Sequence, residues 1–368
     1  MAGPTTIPFG DPKAQKKWSG SLFVDITRKS YFDRKFVGTT DNHVIQRLTD
    51  LESDAGDTIS FDLSVQLRKK PTSGDQRLQG KEENLRFFTD QVMIDQLRHG
   101  VSAGGKMSRK RTVHNIRSIA KARLSDYWSK YVDEMHFIYL SGARGINEDF
   151  FEDVNYVGHA GNPIQAPDAD HIIYGGDATS KSSIDATDKM SRAVVEKAAT
   201  KAKMMRATNP ETASLQPVMI NGEPHYVLLM SGFQEHDMRT ADSAGWLEMQ
   251  KAAAAAEGRN NPIFKGGLGM INNVVLHSHE SVIRFGNYGS GTNLPASRAL
   301  FMGRQAGVVA YGSTGGLRFT WTEEMQDHGN EPVVSAGFIG GVKKSRFNEK
   351  DFGVIAIDTY AKDPNAPA

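Results

Sequence analysis

The chain has 368 residues, room for one large or two ordinary domains, and its 39% hydrophobic and 9% aromatic content suffices for a real core. A net charge of +1 names no strongly charged partner, and the lack of cysteine excludes disulfides and thiolate metal sites while suiting a reducing compartment. The N-terminus carries no secretory pattern, and no apolar run approaches the ~20 residues that a membrane span needs.

Residues 1–17 are polar, with Pro4, Pro8 and Pro12 beside Lys13, Lys16 and Lys17, and read as an extended arm. Ser19–Lys29 is expected as a short helix bearing Leu22, Phe23 and Ile26. Val44–Leu51 and Thr58–Leu67 read as strands. In the second, Ile59, Phe61, Leu63, Val65 and Leu67 alternate with polar residues, the period of a half-buried strand. Residues 68–86 differ: Lys69, Lys70, Arg77, Lys81 and Arg86 stand against Asp75, Glu82 and Glu83, with almost nothing apolar. Such a stretch cannot hold itself together by burial, so it is either a disordered loop or an arm that packs on another molecule. Phe87–Gln96 returns as a strand.

Ser108–Gly142 reads as one helix, roughly 50 Å long at 1.5 Å per residue. Its apolar residues, from Val113 and Ile116 through Ala120, Leu124, Tyr127 and Tyr131 to Met135 and Ile138, recur in steps of three and four. Met135–Leu140 is apolar nearly all round, which predicts burial on more than one side, and Gly142 is a fitting stop. At the other end Lys106, Arg109, Lys110 and Arg111 crowd a terminus where the helix dipole prefers negative charge. They form either a solvated basic turn or a contact with a neighbouring chain's acid or with nucleic acid.

Gly145–Lys181 is loop-rich. Its acidic run Glu148, Asp149, Glu152 and Asp153 around Phe150 and Phe151 lacks the oxygen spacing and central glycine of a calcium loop, and reads as a solvated turn. Two further helices are expected at Asp185–Met205, with Met190, Val194, Ala198 and Met205 on one face, and at Asp242–Glu257. Between them Val218–Ile220, Asn221-Gly222 and His225–Met230 read as a hairpin, with Pro224 suggesting a sheet edge. From Met270 onward short strands follow at Val274–His277, Val282–Phe285, Leu317–Trp321, Val333–Ile339 and Val354–Thr359, with a short helix at Gly303–Ala310. Segregated runs of this kind argue an α+β fold.

Little here carries chemistry. His277 and His279 would share one face of a strand and could seat zinc, but a third ligand is not apparent. Glu235-His236-Asp237 has no nucleophile pattern beside it and reads as a polar turn. The glycine clusters near 266–269, 289–291, 312–316 and 340–341 match no phosphate loop and read as turns. No catalytic residue, metal ligand or cofactor is expected.

One ordered set of motifs is more specific. Ala299-Leu300-Phe301-Met302-Gly303-Arg304-Gln305-Ala306-Gly307 is followed by Trp321-Thr322-Glu323-Glu324 and Gln326-Asp327-His328-Gly329-Asn330. Then come Gly340-Gly341-Val342-Lys343-Lys344-Ser345-Arg346-Phe347 and Asp351-Phe352-Gly353-Val354-Ile355-Ala356-Ile357-Asp358-Thr359. With Gly56–Phe61, Tyr226–Met230, Asp237–Arg239 and Asn261–Phe264, this series resembles the coliphage N-four-like family of tailed-phage major capsid proteins, over about residues 20 to 360.

The resemblance implies the Hong Kong 97 fold, an α+β shell architecture with N-terminal arm, extended β loop, long spine helix, and peripheral and axial domains. Mapped on this chain, 1–43 is the arm, 44–67 and 87–145 are peripheral with the spine helix at 108–142, and 68–86 is the extended loop over a neighbouring subunit. Residues 146–298 are mainly axial, and 299–368 supply the final peripheral strands, joining 44–67 and 87–96. Lys69, Lys70, Arg77, Lys81 and Arg86 become candidates for intersubunit contact, and Arg109, Lys110 and Arg111 for contact with another chain or with nucleic acid. Gly74, Gly80, Gly104 and Gly105 are expected hinges, and covalent crosslinking through Lys69, Lys70 or Lys81 is not expected.

The implied partners are many copies of the chain in hexamers and pentamers, a portal protein, packaged double-stranded DNA held without sequence preference, and room for a decoration protein. With only about 20 residues before the first structured segment, the scaffolding protein is expected to be separate. The implied place is the virion, with assembly in the host cytoplasm and no membrane. Two rivals stand beside this reading: a soluble α+β enzyme without a recognisable local motif, and a nucleic-acid-binding protein that uses the turn at 106–111.

Overall fold

The computed structural model describes residues 30–52, 55–64, 67–112, 115–208, 213–242, 245–246, 263–313 and 320–366. The expected arm 1–17, the helix Ser19–Lys29, most of the helix Asp242–Glu257, and Gly315 and Gly316 lie outside them. The chain forms two compact units.

The larger unit draws on 29–97, 129–318 and 338–368. Its main sheet runs in the order Ile172–Tyr174, Val354–Tyr360, Leu294–Met302, Glu223–Met230, Val274–Ser278, Gly269–Ile271; Arg284–Tyr288 pairs with Leu294–Met302, and Val218–Ile220 with Glu223–Met230. In Val354–Tyr360 all but the last residue are buried. A continuous apolar run such as Val354-Ile355-Ala356-Ile357 needs cover on both faces, so this strand lies inside the main sheet and not with the strands around 44–67, as expected above. Residues Val195, Ala198, Ala202 and Met205 of helix Arg192–Thr208 pack on Leu228, Phe301, Ile355 and Ile357. This helix starts later than predicted because Asp185 and Asp188 turn the chain first: Thr187 N donates to Asp185 Oδ1 at 2.7 Å and Asp185 N to Asp188 Oδ2 at 2.8 Å.

The Asn221-Gly222 turn forms as expected, with φ of 53° and 85°. Pro224, however, does not mark an edge strand. It pairs only with Met219 in the hairpin, and the ladder to the neighbouring strands begins beyond it, at Tyr226 and Val227. Gly303–Ala310 is not a helix: a turn with Gln305 at φ 53° leads into strand Gly307–Tyr311. Glu235-His236-Asp237 is not a turn but lies within helix Gly232–Ala241, announced by a Ser231/Gln234 capping box. The later strands are shifted or longer than predicted, at Arg284–Tyr288, Thr320–Gln326 and Glu331–Lys344.

The expected single helix 108–142 is two helices, Lys106–Arg111 and Ile116–Ser141. Thr112 is extended, and Asn115 starts the second helix by accepting a bond from Ser118 N on its side chain at 3.1 Å. Gly142 ends it at φ 67°, and a Cβ there would meet Gln165 O at 2.1 Å. Within the larger unit the second half of the helix is buried on all sides, polar residues included. Asp133 accepts from Ser30 Oγ and Tyr31 N, both at 2.8 Å, and from Phe32 N at 3.1 Å. It thereby seats helix Tyr31–Lys35, so residues 30–38, expected as arm, are packed on the spine. Burial pushes the Asp133 carboxyl up, against these donors.

Two buried ion pairs fix the C-terminal strands. Arg298 clasps Asp358 with both ends of its guanidinium at 2.7 Å and reaches the spine helix at Ser141 O, 2.9 Å away. Tyr288 donates to Asp358 at 2.6 Å; burial, then the Asp358 charge, holds its hydroxyl well above the usual phenol range. Lys344 donates to Asp351 at 2.6 Å.

A second sheet in this unit orders Val37–Gly38, Ile45–Leu48, Gly307–Tyr311 and residues 340–344 of strand Glu331–Lys344. Gly340-Gly341, read as a turn, is strand interior: a Cβ on Gly341 would sit 1.9 Å from Met93 O. The smaller unit draws on 98–128 and 319–337, where Thr320–Gln326 pairs antiparallel with residues 331–337.

His277 is fully buried, with Nε2–H donating to Ile263 O at 2.7 Å and the ring edge-on to Phe36 at 5.6 Å. No group of three metal-binding side chains occurs among the described residues. Burial, and secondarily the Lys35 charge, pushes the imidazole from 6.5 down to about 4. Stability from this neutral histidine is full above pH 6.5 and is lost as pH falls toward 4, by about 3 kcal/mol. Denaturant unfolding of the subunit should show that loss, and His277→Gln should remove it. Gly341→Ala should cost about 2–3 kcal/mol, because the strand must leave Met93, and appear as a lowered Tm.

Candidate assembly interface

Strands Thr58–Ser64 and Phe87–Met93 pair antiparallel from Thr58↔Met93 to Ser64↔Phe87. Their base is secure. Ile59, Val92 and Ile94 share a cluster with Leu51, Val308 and Ala310, and Lys343 Nζ bonds Asp90 and, at 2.9 Å, Gln91 O. Beyond that base the chain leaves the body. Of residues 67–86 all but Thr72 and Glu83 are exposed.

The loop is nevertheless shaped. Glu83 Oε2 accepts from Arg68 N and Lys69 N, both at 2.7 Å, which joins the two limbs and draws its carboxyl below the usual range. Lys69 Nζ donates to Glu82 O at 2.8 Å, Lys81 Nζ to Gln76 Oε1 at 3.1 Å, and Lys81 N to Leu78 O at 2.9 Å. Arg86 lies 5.7 Å over the Phe88 ring. Lys70 and Arg77 make no ion pair among the described residues. The five expected contact residues are thus brought together on one protrusion. The composition also hid something: Leu67, Leu78, Leu85 and Phe87 are each more than half exposed. Isolated exposed apolar residues are ordinary; three leucines and a phenylalanine along one protrusion and its base are not.

The basic turn divides. Arg109 is half-buried and donates to Asn330 O at 3.1 Å, while Lys106 N donates to Asn330 Oδ1 at 3.1 Å. Lys110 and Arg111 are exposed. Glu323 in the same unit is bonded by Arg117, with Lys121 at 3.9 Å.

A third surface was missed. The acidic run after the spine helix is a turn with Glu148, Asp149 and Asp153 exposed, as expected, and it is also fastened to the helix. Glu134 accepts from Phe151 N at 2.8 Å and Glu152 N at 2.9 Å, Tyr131 bonds Glu152, and Arg144 Nε donates to Glu152 O at 2.9 Å. Burial still pushes the Glu134 carboxyl up. The segment turns Val157, Val154, Ile146 and Phe151 outward, at 79%, 67%, 52% and 44% exposure. The sequence signal was the mixing of these apolar residues with the carboxylates.

Known proteins agree with this shape. A profile of the family described as phage capsid protein matches residues 6–363. The major capsid protein of Pseudomonas phage KPP25 is 24% identical over 360 residues, covering 90% of this chain and 91% of its own. Among solved structures, the capsid of Ralstonia phage GP4 is 64% identical with a TM-score of 0.92, covering 99% of this chain and 100% of that one. The capsid asymmetric unit of Cyanophage Pam1, at 22% identity, shares the fold with a TM-score of 0.74 over 95% of this chain and 97% of its own. The α+β body, the protruding two-stranded loop and the spine helix are those of the Hong Kong 97-type fold, and the chain belongs to the phage capsid protein family as a tailed-phage major capsid protein of the virion shell.

Proposed function

We propose that the chain assembles as hexamers and pentamers into an icosahedral shell around a double-stranded DNA genome, as a non-catalytic tile whose residues 68–86 lie over a neighbouring copy. The observation that carries this reading is the protrusion itself: a charged and almost wholly exposed loop with outward leucines, standing on a well-anchored base. Lys69, Lys70, Arg77, Lys81 and Arg86 are its intersubunit contacts. Permanent interfaces bury about 2,000–5,000 Å² or more, which a single protruding loop supplies only when repeated around a ring of copies. Lys110 and Arg111 are offered to a neighbouring chain or to packaged DNA, with Arg109 held back by Asn330. Residues 146–298 are read as mainly axial. A portal protein and a separate scaffolding protein complete the partners, with room for a decoration protein.

Size separates this reading from its rivals. Light scattering and negative-stain micrographs of purified material should show hexameric or pentameric rings, and closed shells when the scaffolding protein is co-expressed; a monomer or dimer under every condition would contradict it. Replacing 70–84 by a short Gly-Ser linker should leave subunit stability within about 0.5 kcal/mol, since the segment buries no apolar side chain, yet abolish closed shells.

A further inference from the structure

We infer that the segment Ile146–Val157 is the acceptor surface for the 68–86 loop of a second copy. This rests on the tile reading above and adds where the loop lands.

The two segments are complementary in charge. Residues 68–86 carry three excess positive charges, whereas 146–157 holds four carboxylates and no cation. Lys130 approaches Asp149 at 3.2 Å, but Glu148 and Asp153 are exposed and make no ion pair among the described residues. Lys70 and Arg77 stand in the same condition on the loop. Exposed charges of this kind contribute chiefly to steering and register, not to tight binding.

The two segments also match in apolar surface. Leu67, Leu78, Leu85 and Phe87 face Ile146, Phe151, Val154 and Val157 in kind, each of them outward on its own chain. Charge alone would accept any cationic partner; outward apolar side chains among the charges favour a partner with its own. The acceptor is fastened to the spine helix and its end by Glu134, Tyr131 and Arg144, and the loop is shaped by its own hydrogen bonds. Two partners already shaped lose less freedom on meeting. The loop's described hydrogen bonds run between its own limbs, so the acceptor it meets belongs to another copy.

The lack of native cysteine makes the test direct. Full-length Leu78→Cys and Val157→Cys chains are mixed, assembled and treated with a short bis-maleimide. Shells should yield crosslinked pairs joining one chain of each kind, and the unassembled mixture none. Shells that form yet give no such pair overturn the acceptor assignment and leave the tile reading intact; wild-type chains that never form rings or shells overturn both. In a second arm, Glu148→Lys with Asp153→Lys should lower shell yield about tenfold, and adding Lys70→Glu with Arg77→Glu should restore most of it. Loss of yield that the charge swap does not rescue overturns the pairing.

Discussion

A segment that carries positive charge in excess and turns its leucines to solvent gains little from burial on its own body. That constraint organises the molecule. The hairpin base is buried and pinned by Lys343, while the limbs beyond it are tied to each other through Glu83 and through the bond from Lys69 to Glu82 O. Such a loop keeps a shape in the free subunit, and on the proposed reading its further contacts lie on a neighbouring copy.

The body must be firm for that division to work. Here the buried polar groups matter more for geometry than for net stability. A buried ion pair is often no more stabilising than well-packed apolar residues, yet removing one partner costs about 3–5 kcal/mol. Arg298 sits where the main sheet meets the end of the spine helix, and its bonds to Asp358 and Ser141 hold that junction in one arrangement. Asp133 does the same for the first described residues, and Glu134 for the segment after the helix. Three side chains bonded to the spine or carried on it thus set where the arm begins, where the acidic segment stands and how the C-terminal strands cross.

Much of this was legible in the residues. The alternation in Thr58–Ser64, the Asn-Gly turn and the all-apolar end of the spine each follow from local pattern, and the polar loop from its composition. Other features were hidden for physical reasons. Asn115 breaks the spine by capping a new helix, and a single capping residue inside a periodic stretch is easily read as one more polar position. The run Val354–Ile357 shows that a strand is buried on both faces but not in which sheet, because partners far away in sequence decide that. Gly340-Gly341 looks like a turn until the close approach of Met93 is known. The acidic segment 146–157 is the solvated turn its composition suggests, but its fastening to the helix was hidden because Glu134, Tyr131 and Arg144 meet it only in three dimensions.

Amide hydrogen exchange across residues 67–86, compared between isolated subunits and assembled shells, tests the central claim most directly. The account predicts fast exchange through most of the loop in the free subunit, slowed only at the hydrogen-bonded amides of Arg68, Lys69, Gly80 and Lys81, and strong protection once shells close. Protection already present in the free subunit, or exchange unchanged by assembly, would contradict it.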